Sequence, residues 1–338
     1  MCSVANGKSI AVLGAGSWGT ALAIHLARSG NKVTLWGNEP EHIEKLKLNR
    51  KNQQFLPDIP FPENLMLNDN IEEVLAASDL LLIVIPSYAF RPFLARYNAL
   101  ITEQHSIVWA SKGLEENTAK LLHQVIAEEL PQCKNQAVIS GPTFAKEVAN
   151  DLPTAITVAS SSEQFAQEVS QCLHRGNFRA YTSNDVIGVE LGGALKNVLA
   201  IAAGIADGLG YGANTRAALI TRGLNEIMSL GEVMGGHRET FMGLAGMGDL
   251  VLTCTDNQSR NRQMGLLLAQ GKGLAEIREE IGQEVEGVRT AREAKRLIDQ
   301  HDIELPILEQ VYRVLYENVP PKDAVKYLLA RKSKSEIM

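Results

Sequence analysis

The rhythm of apolar and polar positions changes once along the chain. Up to Thr182, short apolar runs alternate with helical patterns. Residues 9–14 (SIAVLG), 32–36 (KVTLW), 80–86 (LLLIVIP), 106–111 (SIVWAS), 137–141 (AVISG), 154–160 (TAITVAS) and 178–183 (FRAYTS) read as strands. Near-continuous apolar runs of this length suit strands covered on both faces. Helical patterns fall at 40–50, 71–77 and 117–130, while the prolines of FLPDIPFPEN read as a loop without regular structure. After Thr182 only helices are predicted: 186–209, 213–234, about 258–269, 287–300, 306–317 and 321–331. The expected architecture is α/β, with a Rossmann-type, doubly wound, mostly parallel sheet followed by an all-helical domain. The division is placed at 1–187 and 188–338, and the tail RKSKSEIM reads as disordered.

The stretch 185–210, DVIGVELGGALKNVLAIAAGIADGLG, is apolar on almost every side, with Glu190, Lys196 and Asn197 the polar residues in its middle. Such a helix is normally buried, and a lysine within it is costly unless paired or used. Gly192 and Gly193 lie one turn below Lys196 and each weakens the helix, so they are expected to leave space for a substrate beside the lysine.

Composition adds exclusions. A chain of 338 residues is long enough for two domains, and 45% hydrophobic with 21% charged residues is ordinary for a soluble protein. A net charge of −6 offers no footprint for nucleic acid. The apolar runs read as too short or too broken by charge to span a bilayer, and MCSVANGKSI does not look like a signal peptide. Cys2, Cys133, Cys172 and Cys254 are scattered, which fits a reduced cytoplasmic setting without disulfides. The seven histidines show no metal-binding spacing.

Chemistry begins directly after the first strand. GAGSWG places Gly14, Gly16 and Gly19 in a GxGxxG pattern between a strand and a helix, the context that dinucleotide binding requires. Gly14 allows the turn, Gly16 lets the backbone approach a pyrophosphate, and Gly19 lets helix and sheet pack. The tip of the second strand carries Asn38, and the first acid is Glu39. Without an acid at the tip a 2′-phosphate is not repelled, and Arg50 and Lys51 are near enough in sequence to supply charge, so NADP is expected to be accepted, with NAD also admitted. The competing reading is that these two cations are merely solvated.

Ligands of open α/β sheets sit beyond the carboxyl ends of the strands. Two strand ends carry Lys112 and the segment Gly141–Thr143. Glycines 243, 246 and 248 precede Asp249, a density that means backbone threading past a turn or a ligand. Ser259 reads as the N-cap of a helix whose first turn holds Arg260, Asn261 and Arg262. Cations there oppose the macrodipole, a conflict that a bound phosphate would remove; the alternative is two arginines pointing into water. A dinucleotide site, a buried lysine, an acid and an anion site together fit hydride transfer to a phosphorylated carbonyl compound. Burial would bring the Lys196 pKa towards neutrality for proton exchange, unless the lysine is only half of a core ion pair.

The motifs GAGSWGTALA, WASKGLE, ISGPTFAKE, LGGALKN, AGMGDLVLTCTDNQSRN and EGVRT, in this order, resemble the bacterial NAD(P)-dependent glycerol-3-phosphate dehydrogenase family over nearly the whole chain. The resemblance implies interconversion of sn-glycerol 3-phosphate and dihydroxyacetone phosphate, feeding glycerophospholipid synthesis. It also implies a helical domain like that of 6-phosphogluconate dehydrogenase, and a homodimer. By motif, the resemblance implies that Lys196 is the general acid/base, and that Lys112, Asn197, Asp249 and Thr253 surround the substrate, with Lys112 and Asp249 also in the catalytic group. It further implies that Gly141 and Thr143 line the substrate side, that Ser259, Arg260 and Asn261 hold the phosphate, and that Ser17, Trp18, Ala145, Arg260, Glu284 and Glu286 touch the cofactor; Asn38 and Lys112 are expected on the cofactor side as well. The family often has His-Asp where this chain has Asn38-Glu39, which bears on the cofactor ratio and not on the reaction. Two other functions stay open: another lysine-dependent hydroxyacid dehydrogenase, which would need a carboxylate clamp, or an NADPH-binding sensor without turnover.

Overall fold

The computed structural model describes residues 8–331. Of the tail RKSKSEIM, Arg331 pairs with Glu304, and the rest lies outside the described residues. The first half builds β1 (Ser9–Leu13), α1 (Ser17–Arg28), β2 (Lys32–Trp36), α2 (Pro40–Asn49), β3 (Lys51–Asn52), β4 (Leu56–Pro60), β5 (Leu65–Asn68), α3 (Ile71–Ala76), β6 (Leu80–Ile83) and α4 (Ser87–Tyr97). It continues with β7 (Ser106–Trp109), α5 (Leu122–Glu129), β8 (Gln136–Ser140), α6 (Ala145–Ala149), β9 (Thr154–Ala159), α7 (Glu163–Leu173) and β10 (Phe178–Ser183).

Eight of these strands form one sheet in the order β10-β9-β8-β7-β6-β1-β2-β5. Every pairing in it is parallel except β8 with β9. The strand order reverses at β1, since β2 lies on one side of it and β6 on the other. Such a switch point opens a crevice at the carboxyl ends of the strands. The glycine turn after β1 and the loops after β6 and β7 therefore converge.

Two local expectations are corrected. The proline-rich segment holds a strand, β4, paired antiparallel with β3 in a separate two-stranded ribbon, where proline needs no ladder donor. The helix expected from 117 begins only at Leu122, because Asn117 and Ala119 take positive φ values of 70° and 57°. The edge strand β5 and the helices α4, α6 and α7 were not among the expected elements.

The second half is helical: α8 (Val186–Gly208), α9 (Ala213–Val233), α10 (Arg238–Phe241), a wide turn at Leu244–Gly248, α11 (Asp249–Thr255), α12 (Arg260–Ala269), α13 (Leu274–Ile281), α14 (Glu286–His301), α15 (Pro306–Tyr316) and α16 (Pro321–Leu329). Helix α8 is its axis. Contrary to the expectation that no apolar run could span a bilayer, Val186–Gly208 is long and apolar enough by composition to do so. It is the core of the helical half instead, and every residue from Gly188 to Ala206 is buried.

Helix α12 crosses α8 backbone to backbone. A Cβ at Gly204 would overlap the Arg262 carbonyl oxygen, and one at Gly265 would overlap that of Ile201. Both obstacles are main chain and cannot rotate aside. Gly204→Ala and Gly265→Ala should each cost about 1–3 kcal/mol of stability through overpacking. Urea midpoints will show this, and an unchanged midpoint would mean that the close crossing is not required.

Candidate active site

At the dinucleotide end the three glycines divide the work. Gly14 has φ +125°, which L side chains rarely adopt, and a Cβ there would overlap the Val84 carbonyl. A Cβ at Gly19 would overlap the Gly14 carbonyl, so this glycine lets α1 close on its own turn. Gly16 has nothing within 4 Å of its Cβ position, and no side chain caps the start of α1. Open space in front of uncapped N–H groups fits the pyrophosphate of a dinucleotide. Ser17 Oγ donates to the Phe55 carbonyl at 2.6 Å, while Asn52 Nδ2 donates to the Ala15 carbonyl at 2.9 Å, tying the β3–β4 ribbon to this turn. The Trp18 indole N–H is buried without a partner beside it.

Asn38 is exposed at the end of β2. Arg50 is not a free cation. Its guanidinium donates to the carbonyls of Leu65 at 3.0 Å and Pro62 at 2.6 Å, so its charge braces the chain leading into β5. The expectation that it awaits a 2′-phosphate is corrected accordingly.

The lysine centre lies where the helical half meets the strand ends. Lys196 donates to Asp249 Oδ1 and, at 2.9 Å, to Thr253 Oγ1. Thr253 passes its own proton back to the Asp249 carbonyl at 2.6 Å. From the sheet, Lys112 Nζ reaches Asp249 Oδ2 at 2.8 Å and the Gly141 carbonyl at 3.2 Å. Thr143 Oγ1 donates to the same carbonyl at 3.1 Å. Asp249 is 0% exposed and carries one lysine on each oxygen. A core ion pair needs one cation, whereas two on one carboxylate leave a surplus positive charge, which suits an oxygen gaining negative charge.

Burial pushes the Lys196 pKa down to about 8, with Asp249 opposing the shift and Lys112 adding to it. The amine is therefore charged at neutral pH yet able to release a proton nearby.

The glycines beside Lys196 serve a different purpose from the one expected. A Cβ at Gly192 would lie 2.6 Å from the Ala245 carbonyl oxygen, and one at Gly193 would lie 2.7 Å from Ser140 Oγ. Protein fills the room they leave. They admit the wide turn that delivers Asp249 and the end of β8 that leads to Gly141.

At the start of α12, Ser259 Oγ accepts the Arg262 N–H at 3.2 Å and caps the helix. Asn261 bridges elements, giving Nδ2 to Asn197 Oδ1 at 3.0 Å and taking the Gly287 N–H at 2.9 Å. The two arginines part company. Arg262 is buried on Asp207, and also donates to the Cys254 carbonyl at 3.2 Å and to Asn257 Oδ1 at 3.0 Å. Its conflict with the helix dipole is answered by Asp207, which corrects the idea of an anion held between both side chains. Arg260 stays exposed, with Gln283 Oε1 at 3.2 Å.

Ala145 opens α6 just beyond Thr143. Glu284 pairs with Arg289 at 3.0 Å. Glu286 accepts the Ser87 N–H at 3.1 Å and its hydroxyl at 2.9 Å at the start of α4, and burial raises its pKa. Sequence reasoning missed Ser87 and Ser140; a lone serine after a strand carries no signal that would single it out. A cavity of about 380 Å³ is lined by Arg278, Gly282, Gln283, Glu284, Val285 and Val288, and its Gln283 is the partner of Arg260.

A GxGxxG turn at the switch point of a parallel-dominated sheet, followed by a helical half that buries a lysine on a carboxylate, defines the class of dinucleotide-dependent dehydrogenases. Comparison with known proteins narrows that class. Residues 9–166 match the family model for the NAD-dependent glycerol-3-phosphate dehydrogenase N-terminus, and residues 185–326 match that for its C-terminus. Glycerol-3-phosphate dehydrogenase [NAD(P)+] of Pseudoalteromonas translucida is 51% identical over 97% of this chain and 98% of its own length. The Serratia proteamaculans enzyme of the same name is 52% identical over 97% of each chain. The crystal structure of glycerol-3-phosphate dehydrogenase from Coxiella burnetii superposes with a TM-score of 0.94 at 49% identity, covering 97% of this chain and all of that one. The chain belongs to the NAD-dependent glycerol-3-phosphate dehydrogenase family.

The charge arrangement makes a prediction that needs no substrate. Removing the Lys112 cation in Lys112→Met favours the charged form of Lys196, so its pKa should rise above about 8. Titration of ε-15N-labelled lysine by NMR reads this directly, and a fall or no change would refute the coupling.

Proposed function

We propose that Lys196, Lys112 and Asp249 carry the reaction of this family, the interconversion of sn-glycerol 3-phosphate and dihydroxyacetone phosphate with NAD(P)(H). The observation that carries the reading is the buried carboxylate with a lysine on each oxygen, at the strand ends next to the glycine turn. Bound nicotinamide supplies or accepts the hydride at the carbonyl carbon. Lys196 gives a proton to the oxygen as the carbonyl becomes an alcohol, and takes it back in the reverse direction. Asp249 and Thr253 hold its ammonium in place, and Lys112 adds positive charge where the oxygen becomes negative.

Gly141, Thr143 and Asn197 line the substrate, and Arg260 with Ser259 and Asn261 at the start of α12 receives its phosphate. On the cofactor side stand Gly14, Gly16, Ser17, Trp18, Gly19, Ala145, Glu284 and Glu286. Asn38 at the tip of β2 brings no negative charge against a 2′-phosphate, which supports use of NADP beside NAD. The division between the two domains falls at 187/188, just inside α8. The enzyme acts as a cytoplasmic homodimer and supplies glycerol 3-phosphate for glycerophospholipid synthesis.

Lys196→Ala should lower kcat by roughly 10²–10⁴-fold, the range of general acid–base catalysis. Cofactor binding should stay nearly intact. Loss of NADPH absorbance with dihydroxyacetone phosphate measures the first, and fluorescence titration with NADPH the second. Turnover near the wild-type rate would remove the lysine from the mechanism. Arg260→Ala should raise the KM for dihydroxyacetone phosphate at least tenfold, as expected for a lost charge-assisted phosphate contact. An unchanged KM would remove the phosphate assignment.

A further inference from the structure

Glu190 is the remaining charged residue in the buried part of α8, and the chemistry above does not use it. It is 6% exposed. Its Oε1 accepts the Trp109 indole N–H at 3.0 Å and the His123 backbone N–H at 3.0 Å, and its Oε2 meets His123 Nδ1. All of these donors belong to the sheet half. Trp109 is the last residue of β7, three positions before Lys112. His123 lies in the first turn of α5, where a helix has free N–H groups and favours a negative partner.

We propose that Glu190 is a positioning residue, holding the strand that leads to Lys112 and the helix that carries Lys196 at a fixed separation across Asp249. The inference rests on the reading of Lys196 as the proton donor and acceptor. Glu190 precedes Lys196 by six residues, about 9 Å along the helix at 1.5 Å per residue. Between them, the Cβ position at Gly193 lies 2.7 Å from Ser140 Oγ and 3.7 Å from Lys112 Cγ. Helix and sheet half therefore meet at both Glu190 and Gly193, with Glu190 as the polar pin. A slip of α8 along β7 changes the distance between the two ammonium groups, and their repulsion changes with it. Asp249 and Lys112 are the charged groups set against Lys196, and Cys254 of α11 is a further titratable neighbour. Burial and Lys112 both depress the Lys196 pKa, while Asp249 raises it from the helical half that moves with α8, so a looser seam should raise the pKa.

The test is the pH dependence of kcat for dihydroxyacetone phosphate reduction by the full-length enzyme. Reduction needs protonated Lys196, so activity falls as pH rises through its pKa. Glu190→Ala removes the acceptor, Trp109→Phe removes a donor from the other side, and Glu190→Gln keeps one acceptor. The Ala and Phe variants should move the alkaline limb to higher pH by about half a unit or more, the size expected for a weakened charge neighbour. They should also lower kcat about tenfold through misalignment, with the KM for NADPH within about twofold of wild type. Glu190→Gln should recover most of the rate and of the limb. If Glu190→Ala does not fold, Trp109→Phe decides alone. An unmoved limb, with or without a loss of rate, overturns the proposal and leaves Glu190 a packing residue. Failure of the underlying reading looks different: the wild-type limb would then persist in the residual activity of Lys196→Ala.

Discussion

A carboxylate without solvent holds the two halves of this protein in register. Burying Asp249 is costly, and removing either of its cations would leave an uncompensated charge in the interior. Lys196 arrives from the core helix, Lys112 from the end of a sheet strand, and Asp249 from a third segment. The glycine-rich turn before Asp249 and the glycines of α8 follow from this requirement. Ala245 must pass directly over Gly192 for the carboxylate to reach its position.

The two ends of the site use backbone and charge in opposite ways. The dinucleotide end is open, with an uncapped helix start and a glycine that has empty space before it. An uncapped helix start of this kind favours negative charge in front of it. The lysine end is closed, and its surplus cation is already balanced in part by Thr253, Gly141 and Asp249. Burial in this centre strengthens each electrostatic contact and draws the lysine's pKa down to about 8.

The helix α12 shows where sequence signals divide. Arg260 and Arg262 raise the same objection at a helix start, since both oppose its dipole. In the fold one is exposed beside Gln283, and the other is buried on Asp207 from the far end of α8. Their separation of two residues turns them to different faces, yet nothing local says which face meets an acid. Arg50 behaves alike: its proximity in sequence to the tip of β2 suggests a phosphate ligand, and the fold sets it on the carbonyls of Pro62 and of Leu65, the first residue of β5. A long cation is recruited by whatever acceptors the chain brings near, and those come from elsewhere.

The seven strands, the glycine turn, the six main helices and the buried lysine were legible in the chain because each rests on local periodicity or on one residue's conformational needs. Gly14 must turn, an apolar run must bury itself, and a lysine in an apolar helix must find a partner. Less legible were short elements whose patterns are weak, such as β5, α6 and α11, and the ribbon strand β4, which an edge position makes tolerant of proline. What only the tertiary structure decided was the partnership. Asp249, Lys112 and Lys196 are separated by long stretches of sequence, and so are Glu190, Trp109 and His123. Charges pair by distance in space, and that distance is set by how the helical half is seated on the sheet.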